Sequence, residues 1–194
     1  MTKINTRMVG VVLCGGASAR MGTDKGLLTK DGKTWAQLAY ERLKTVLPDV
    51  VISINERQRT VYGVSFTDAD FVVDEDRLSI GGPLRGLLSV HRRFPGTDLM
   101  VLACDMIQMR EEPLRELLDY FRHYGGQALV FEQGGYAQPL CGIYTSSALA
   151  EVADLAVSAR LSRHSMMHAL DVMGAVKLPC PVEYEDCFRN YNEP

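Results

Sequence analysis

Short apolar runs and amphipathic stretches alternate along this chain almost to its end. Residues 9–13, Val50–Ile54, 71–73 and 99–103 are near-continuous apolar runs, as expected of strands covered on both faces. Between them the apolar spacing changes to three and four. Trp35, Leu38, Ala39, Leu43 and Val46 form one helical stripe, which Pro48-Asp49 ends. Leu84, Leu87 and Leu88 follow Pro83 at a helix start, and Leu114, Leu117, Leu118 and Phe121 follow Pro113 and stop at Gly125-Gly126. Two further strands are expected at 128–131 and 140–144, on either side of Gly134-Gly135. Helices from Ser146 and from Ser162 and a last strand at 175–178 complete the pattern. Alternation of this kind predicts an α/β fold, with a mostly parallel sheet and helices on both faces. Periodicity leaves the strand order open.

At 194 residues, with no repeat or linker to divide it, the chain is expected to form a single domain over 1–194. A chain of this size buries roughly 70% of its unfolded surface, so it needs no disulfide framework. Its five cysteines are odd in number and include no C-x-x-C, which fits reduced thiols and a cytoplasmic protein. Cys14 and Cys104 are read as small buried fillers. The net charge of −3 argues against a nucleic-acid partner. The one tight basic run, His91-Arg92-Arg93, is read as a solvated helix end. No apolar run approaches the ~20 residues of a membrane span, so no membrane partner is expected.

The chemistry concentrates just past the first strand. There the apolar run stops at Gly15-Gly16, and Arg20 and Lys25 follow within ten residues. Two glycines let the backbone come close to a ligand and turn its N–H groups inward. Arg20 can fork two phosphate oxygens, and Lys25 supplies a mobile point charge. The combination suits a polyphosphate; the plainer reading is a tight turn flanked by solvated cations. The spacing is not the dinucleotide G-x-G-x-x-G. The nearest approach to a P-loop, Gly26 through Gly32-Lys33-Thr34, is one residue too long and lacks a preceding strand.

The run Leu13-Cys14-Gly15-Gly16-Ala17-Ser18-Ala19-Arg20-Met21-Gly22-Thr23-Asp24-Lys25 resembles, without a gap, the signature L-x-G-G-x-S-x-R-M-G-x-D-K of the MobA-like nucleotidyltransferases that make molybdenum cofactor dinucleotides. Gly81-Gly82-Pro83-Leu84-Arg85-Gly86-Leu87 resembles that family's G-P-L-x-G-[IL], and Pro139-Leu140-Cys141-Gly142-Ile143-Tyr144 its P-L-x-x-x-Y. Phe188-Arg189-Asn190-Tyr191-Asn192-Glu193-Pro194 resembles F-x-N-x-N-T-P, with Glu193 in place of threonine. The resemblance implies a Rossmann-like three-layer α/β/α sandwich of the nucleotide-diphospho-sugar transferase type. It also implies transfer of GMP from GTP to the phosphate of molybdopterin, with release of pyrophosphate. Mg²⁺ would be the cofactor and GTP and molybdopterin the substrates, with molybdoenzyme chaperones as further partners. Two alternatives stay open: the same chemistry with CTP or a sugar or polyol phosphate, and a non-catalytic carrier of nucleotide or pterin.

Carried over residue by residue, the resemblance gives Leu13, Cys14, Gly15, Gly16, Lys25, Asn55, Asp74 and Asp105 to the nucleotide. Arg20, Lys25 and Asp105 become the catalytic set, and Asp105 the metal ligand. Asp76 is the alternative to Asp74. Pro139, Asn190 and Asn192 fall on the pterin side. Asp105 follows an apolar run directly, where a carboxylate can hold Mg²⁺ against phosphate oxygens or simply cap a turn. Asn55 closes a strand and suits either a base edge or a turn. The family's C-D-x-P has Ile107 at its last position here, which puts the shape of that loop in question. His164 and His168 stand at i, i+4 on an expected helix but lack the glutamate of H-E-x-x-H, and are read as surface residues. Met166, Met167 and Met173 are read as core filler.

Overall fold

The computed structural model describes residues 7–15, 24–66 and 68–191. Met8–Leu13 (β1), every residue of which but the first is buried, lies inside a seven-stranded sheet. Val50–Ile54 (β4) and then Asp70–Val73 (β5) extend the sheet on one side. On the other side come Asp98–Ala103 (β6), Tyr136–Tyr144 (β8), Ala128–Gln133 (β7) and Val176–Pro179 (β9), in that order. β1 pairs in parallel with both β4 and β6, β4 with β5, and β7 with β9. Only β8 runs the other way, antiparallel to β6 and β7. The sheet is mostly parallel, as the alternating pattern required.

Helices Trp35–Lys44 (α1), Arg59–Ser65 (α2) and Glu111–Tyr124 (α4) contribute Ala39, Leu43, Tyr62, Leu114 and Phe121 to one core, against Val12, Ile52, Ile54 and Leu102 of the strands. Pro83–Arg93 (α3), Ser146–Val157 (α5) and Met166–Val172 (α6) contribute Leu84, Leu88, Leu149, Val152 and Leu170 to the other, against Val9, Val11, Leu13 and Val101. Side chains alternate across a strand, so β1 feeds both cores and gives three layers, α/β/α. A hairpin of Thr29–Lys30 (β2) and Lys33–Thr34 (β3) turns through Asp31 and Gly32, both with positive φ. The near-P-loop glycine thus serves a hairpin. Among the described residues no helix is long and apolar enough to cross a membrane.

Four local readings need correction. The last helix begins at Met166 rather than Ser162, because the Ser165 side chain accepts from the His168 N–H and caps it there. His164 therefore precedes the helix instead of sharing it with His168. Met166 and Met173 are core, but Met167 is 41% exposed, since a seven-residue helix turns one methionine outward. His91 is buried, and only the arginines after it reach solvent, Arg92 pairing with Glu75 at 3.1 Å. Periodicity passed over α2, whose seven residues bury only Tyr62, and the 3-10 turns of Val182–Phe188.

Candidate active site

In an open α/β sheet ligands sit beyond the carboxyl ends of the strands, where successive connections leave in opposite directions. From β1 the chain passes to β4 and β5 on one side, then returns to β6 on the other, so the divergence lies between β1 and β6. Backbone hydrogen bonds tie the four strand ends into one ledge. Cys104 N–H donates to the Leu13 carbonyl, Cys14 and Gly15 N–H both donate to the Ser53 carbonyl, and Asp74 N–H donates to the Ile54 carbonyl. One expectation fails at Gly15, and its Gly16 half lies outside the described residues. The N–H groups of Cys14 and Gly15 are not turned toward a ligand, because Ser53 takes both, at 3.0 and 3.2 Å. Within the described residues, positive charge for a phosphate comes from side chains.

Lys25 and Asp105 meet at this divergence. Lys25 Nζ lies 3.0 Å from Asp105 Oδ2, with the two side chains only 24% and 17% exposed. Asp105 is delivered by the turn that follows β6, where Met106 N–H donates to the Ala103 carbonyl. Asp105 Oδ1 is buried and has no hydrogen-bond partner among the described residues. Lys25 opens the short 3-10 turn Lys25–Leu27, capped by Asp24. The Asp24 carboxylate accepts from Gly26 N–H at 3.0 Å, Tyr62 O–H at 3.0 Å and Gln58 Nε2 at 2.8 Å. Burial pushes the Tyr62 phenol far above its usual range, so its O–H stays protonated and donates. Burial, then the neighbouring Cys104 thiol, raises the Cys14 thiol, which keeps it neutral and unreactive.

Asp74 stands across β4 from this pair. Its Oδ1 accepts from Ser53 Oγ at 3.2 Å, and a Cβ added at Gly15 would lie 2.9 Å from its Oδ2, so the glycine leaves room for the carboxylate. Burial pushes the Asp74 carboxyl up to about 6, and Asp76 adds to the rise; the Ser53 hydroxyl and Arg85 oppose both. Asp76 points away to solvent and pairs with Arg85 at 3.6 Å. Of the two acids, Asp74 faces the glycine. Asn55 forms a reciprocal cap: its Oδ1 accepts from Gln58 N–H, and its own N–H donates to Gln58 Oε1. That is the turn reading of Asn55, with its NH₂ left to donate.

The elements expected on the acceptor side reach the same edge. β8 runs antiparallel to β6 with Cys141 opposite Leu102, so Pro139 stands level with the end of β6. Exposed Asn190 precedes Tyr191, whose N–H donates to the Asp105 carbonyl at 3.2 Å. The Tyr191 hydroxyl accepts from Gln108 Nε2, and Arg110 donates to the Glu183 carbonyl, fastening the tail to the loop after β6. Gly16, Arg20 and Asn192 lie outside the described residues. Sequence reasoning gave no role to Asp24, Ser53, Gln58, Tyr62 or Tyr191. The N-x-x-Q spacing of Asn55 and Gln58 was the one visible signal, that of a capping box.

A family model described as a MobA-like NTP transferase domain matches residues 10–172. A probable molybdenum cofactor guanylyltransferase from Geobacillus sp. (strain WCH70) is 31% identical, over 97% of this chain and 95% of its own length. A molybdenum cofactor guanylyltransferase from Ectopseudomonas mendocina (strain ymp) is 28% identical, over 95% of this chain and 87% of its own. The crystal structure of molybdopterin-guanine dinucleotide biosynthesis protein A from Archaeoglobus fulgidus matches with a TM-score of 0.77 at 23% identity, over 96% of this chain and 93% of that one.

Proposed function

The chain belongs to the MobA-like NTP transferase family, and from that premise we propose how its residues carry out the transfer of GMP from GTP to molybdopterin. The chain is a nucleotidyltransferase. A phosphate oxygen of molybdopterin forms a bond to the α-phosphorus of GTP as the bond to the β-phosphate oxygen breaks. The products are the guanine dinucleotide cofactor and pyrophosphate. The attacking group is already an oxyanion, so no proton has to be removed, and catalysis rests on alignment and charge stabilisation.

The juxtaposition of Lys25 and Asp105 at the strand-end divergence carries this reading. Lys25 neutralises charge at the α-phosphate, and Arg20 the departing pyrophosphate. Asp105 fits a divalent cation, Mg²⁺ in our reading. Its buried Oδ1 has no partner among the described residues, and an unmet acceptor of that kind costs about 1–3 kcal/mol. When bound, the cation supplies positive charge against the phosphate oxygens. Asp74, beside Gly15, accepts from the guanine edge, and Asn55 donates its NH₂ toward the nucleotide. Pro139, Asn190 and Asn192 face the pterin. Chaperones of client molybdoenzymes then collect the product.

Purified protein incubated with Mg²⁺, molybdopterin and one of GTP, CTP or ATP tests the assignment through pyrophosphate release. Release with GTP, dependent on the pterin, is the expected outcome. Release with CTP alone would keep the mechanism and change the product. GTP binding without release would leave a carrier.

A further inference from the structure

We propose that Gln58 is a positioning residue for the transfer: its side-chain amide ties together the two ends of the glycine-rich segment and thereby aims Lys25. This rests on the guanylyl-transfer reading above. Gln58 Nε2 has two donor positions and spends them ten residues apart, on the Cys14 carbonyl at 3.1 Å and on Asp24 Oδ2 at 2.8 Å. The first partner leaves the strand that starts the segment, and the second directly precedes Lys25. The amide is itself held, because Oε1 accepts from Asn55 N–H at 2.8 Å and the Gln58 N–H donates to Asn55 Oδ1 at 3.2 Å. Both N–H donors and the oxygen of the Gln58 amide are thus committed, and its rotamer is fixed from both sides.

One helical turn on, Tyr62 repeats the hold. Its hydroxyl donates to Asp24 Oδ1, and Gly26 is what lets it come so near: a Cβ at Gly26 would lie 2.0 Å from that oxygen. Asp24 is therefore gripped by Gln58, Tyr62 and the Gly26 N–H, and the backbone it fixes carries Lys25 to Asp105. Displacements near 1 Å at a reacting group cost on the order of 10²-fold in rate, so a tie of this kind has a kinetic consequence. Gln58 touches no reacting atom in this scheme and acts through Asp24 and Lys25.

Gln58→Met keeps the length of the side chain and removes both donors. Two measurements read it: pyrophosphate release with GTP and molybdopterin, and hydrogen exchange of the backbone amides of residues 24–28. Expected is a fall in kcat of on the order of 10-fold with a smaller rise in the KM for GTP, accompanied by faster exchange at 24–28. Tyr62→Phe, which removes one donor and keeps the ring packed, should shift both readouts in the same direction by less. Ser65→Ala, which removes a side-chain hydrogen bond to the Val61 carbonyl in the same helix, should leave both unchanged. Wild-type kcat in Gln58→Met overturns the inference, whatever the exchange shows. Lost turnover with unchanged exchange also overturns it, by making Gln58 a direct substrate contact. If the unmutated protein releases no pyrophosphate, the transfer reading fails. Exchange then judges the tie alone: faster exchange at 24–28 supports it, and unchanged exchange overturns it.

Discussion

The two halves of the site are held in different ways. On the β1–β4 side, side chains from one short helical stretch grip the turn that carries Lys25: Gln58 and Tyr62 on Asp24, and Asn55 on Gln58. On the β6–β8 side the tail is held by a backbone bond, Tyr191 N–H to the Asp105 carbonyl, and by two contacts at exposed side chains, Gln108 to Tyr191 and Arg110 to Glu183. The first half is preorganised by partly buried, charge-assisted bonds; in the second, Cys187 and Phe188 are buried with Phe188 against Phe131, and only the residues after them are clasped at the surface. In the proposed scheme the nucleotide side is therefore tied by side chains before any ligand arrives, and the acceptor side is tied chiefly through the backbone of Asp105. Asp105 belongs to both halves, through its carboxylate to Lys25 and through its carbonyl to Tyr191.

Asp105→Ala gives the largest effect because it strikes where the halves meet. Turnover should fall by at least on the order of 10², as when a single transition-state stabiliser is removed, measured as initial rates of pyrophosphate release. The tail should stay in place, since its bond is to the Asp105 backbone. A near-normal rate would dissolve the comparison by removing the shared residue from the chemistry.

A smaller effect, confined to the nucleotide half, comes from pH. The Asp74 carboxyl, pushed up to about 6 from an ordinary 3.8, is charged in the folded protein only above that range. A group raised in the fold contributes stability below its ordinary pKa and loses that contribution as pH rises through its folded value. Asp74→Asn should therefore melt higher than the unmutated protein above pH 6, with the gap closing toward pH 4. In the unmutated protein the KM for GTP should rise as pH falls through about 6, while the KM for molybdopterin should not follow it. A parallel change in both would merge the halves.

The smallest effect belongs to the acceptor half. Tyr191→Phe removes the Gln108 contact and keeps the backbone bond to Asp105. A single exposed neutral hydrogen bond is worth about 0.5–1.5 kcal/mol, so the KM for molybdopterin should rise only a few-fold, with the KM for GTP unchanged. A loss as large as that of Asp105→Ala would show that the outer clasp is as rigid as the inner grip.

The same contrast governs how much could be read from the sequence. The strands around β1 were legible because burial on both faces leaves continuous apolar runs, and Asp105 because it ends such a run. Strand order was not, since β8 reverses within the sheet without any change in its apolar pattern. Lys25 stood out beside its glycines. Asp24, Gln58 and Tyr62 did not, because their meaning lies in hydrogen bonds between segments more than thirty residues apart. Asn55 pointed to a nucleotide by resemblance and to a turn by chemistry; the fold shows its Oδ1 in the turn, and its role toward a nucleotide stays a proposal. The glycine loop misled in one respect: the missing side chain at Gly15 leaves room for the Asp74 carboxylate, and its N–H goes to the Ser53 carbonyl instead of facing inward.

The return of the tail to Asp105 also spreads the parts of the site along the order of synthesis. Because only β8 is antiparallel within the seven-stranded sheet, β9 lies beside β7 with its carboxyl end at the active edge, and from there residues 182–191 return to Asp105. A ribosome supplies every described contact of the Lys25 grip by residue 62, and Asp105 itself 43 residues afterwards. The clasp at Tyr191 comes more than eighty residues later. The growing chain therefore holds the parts of the proposed nucleotide side well before it holds the tail of the proposed acceptor side.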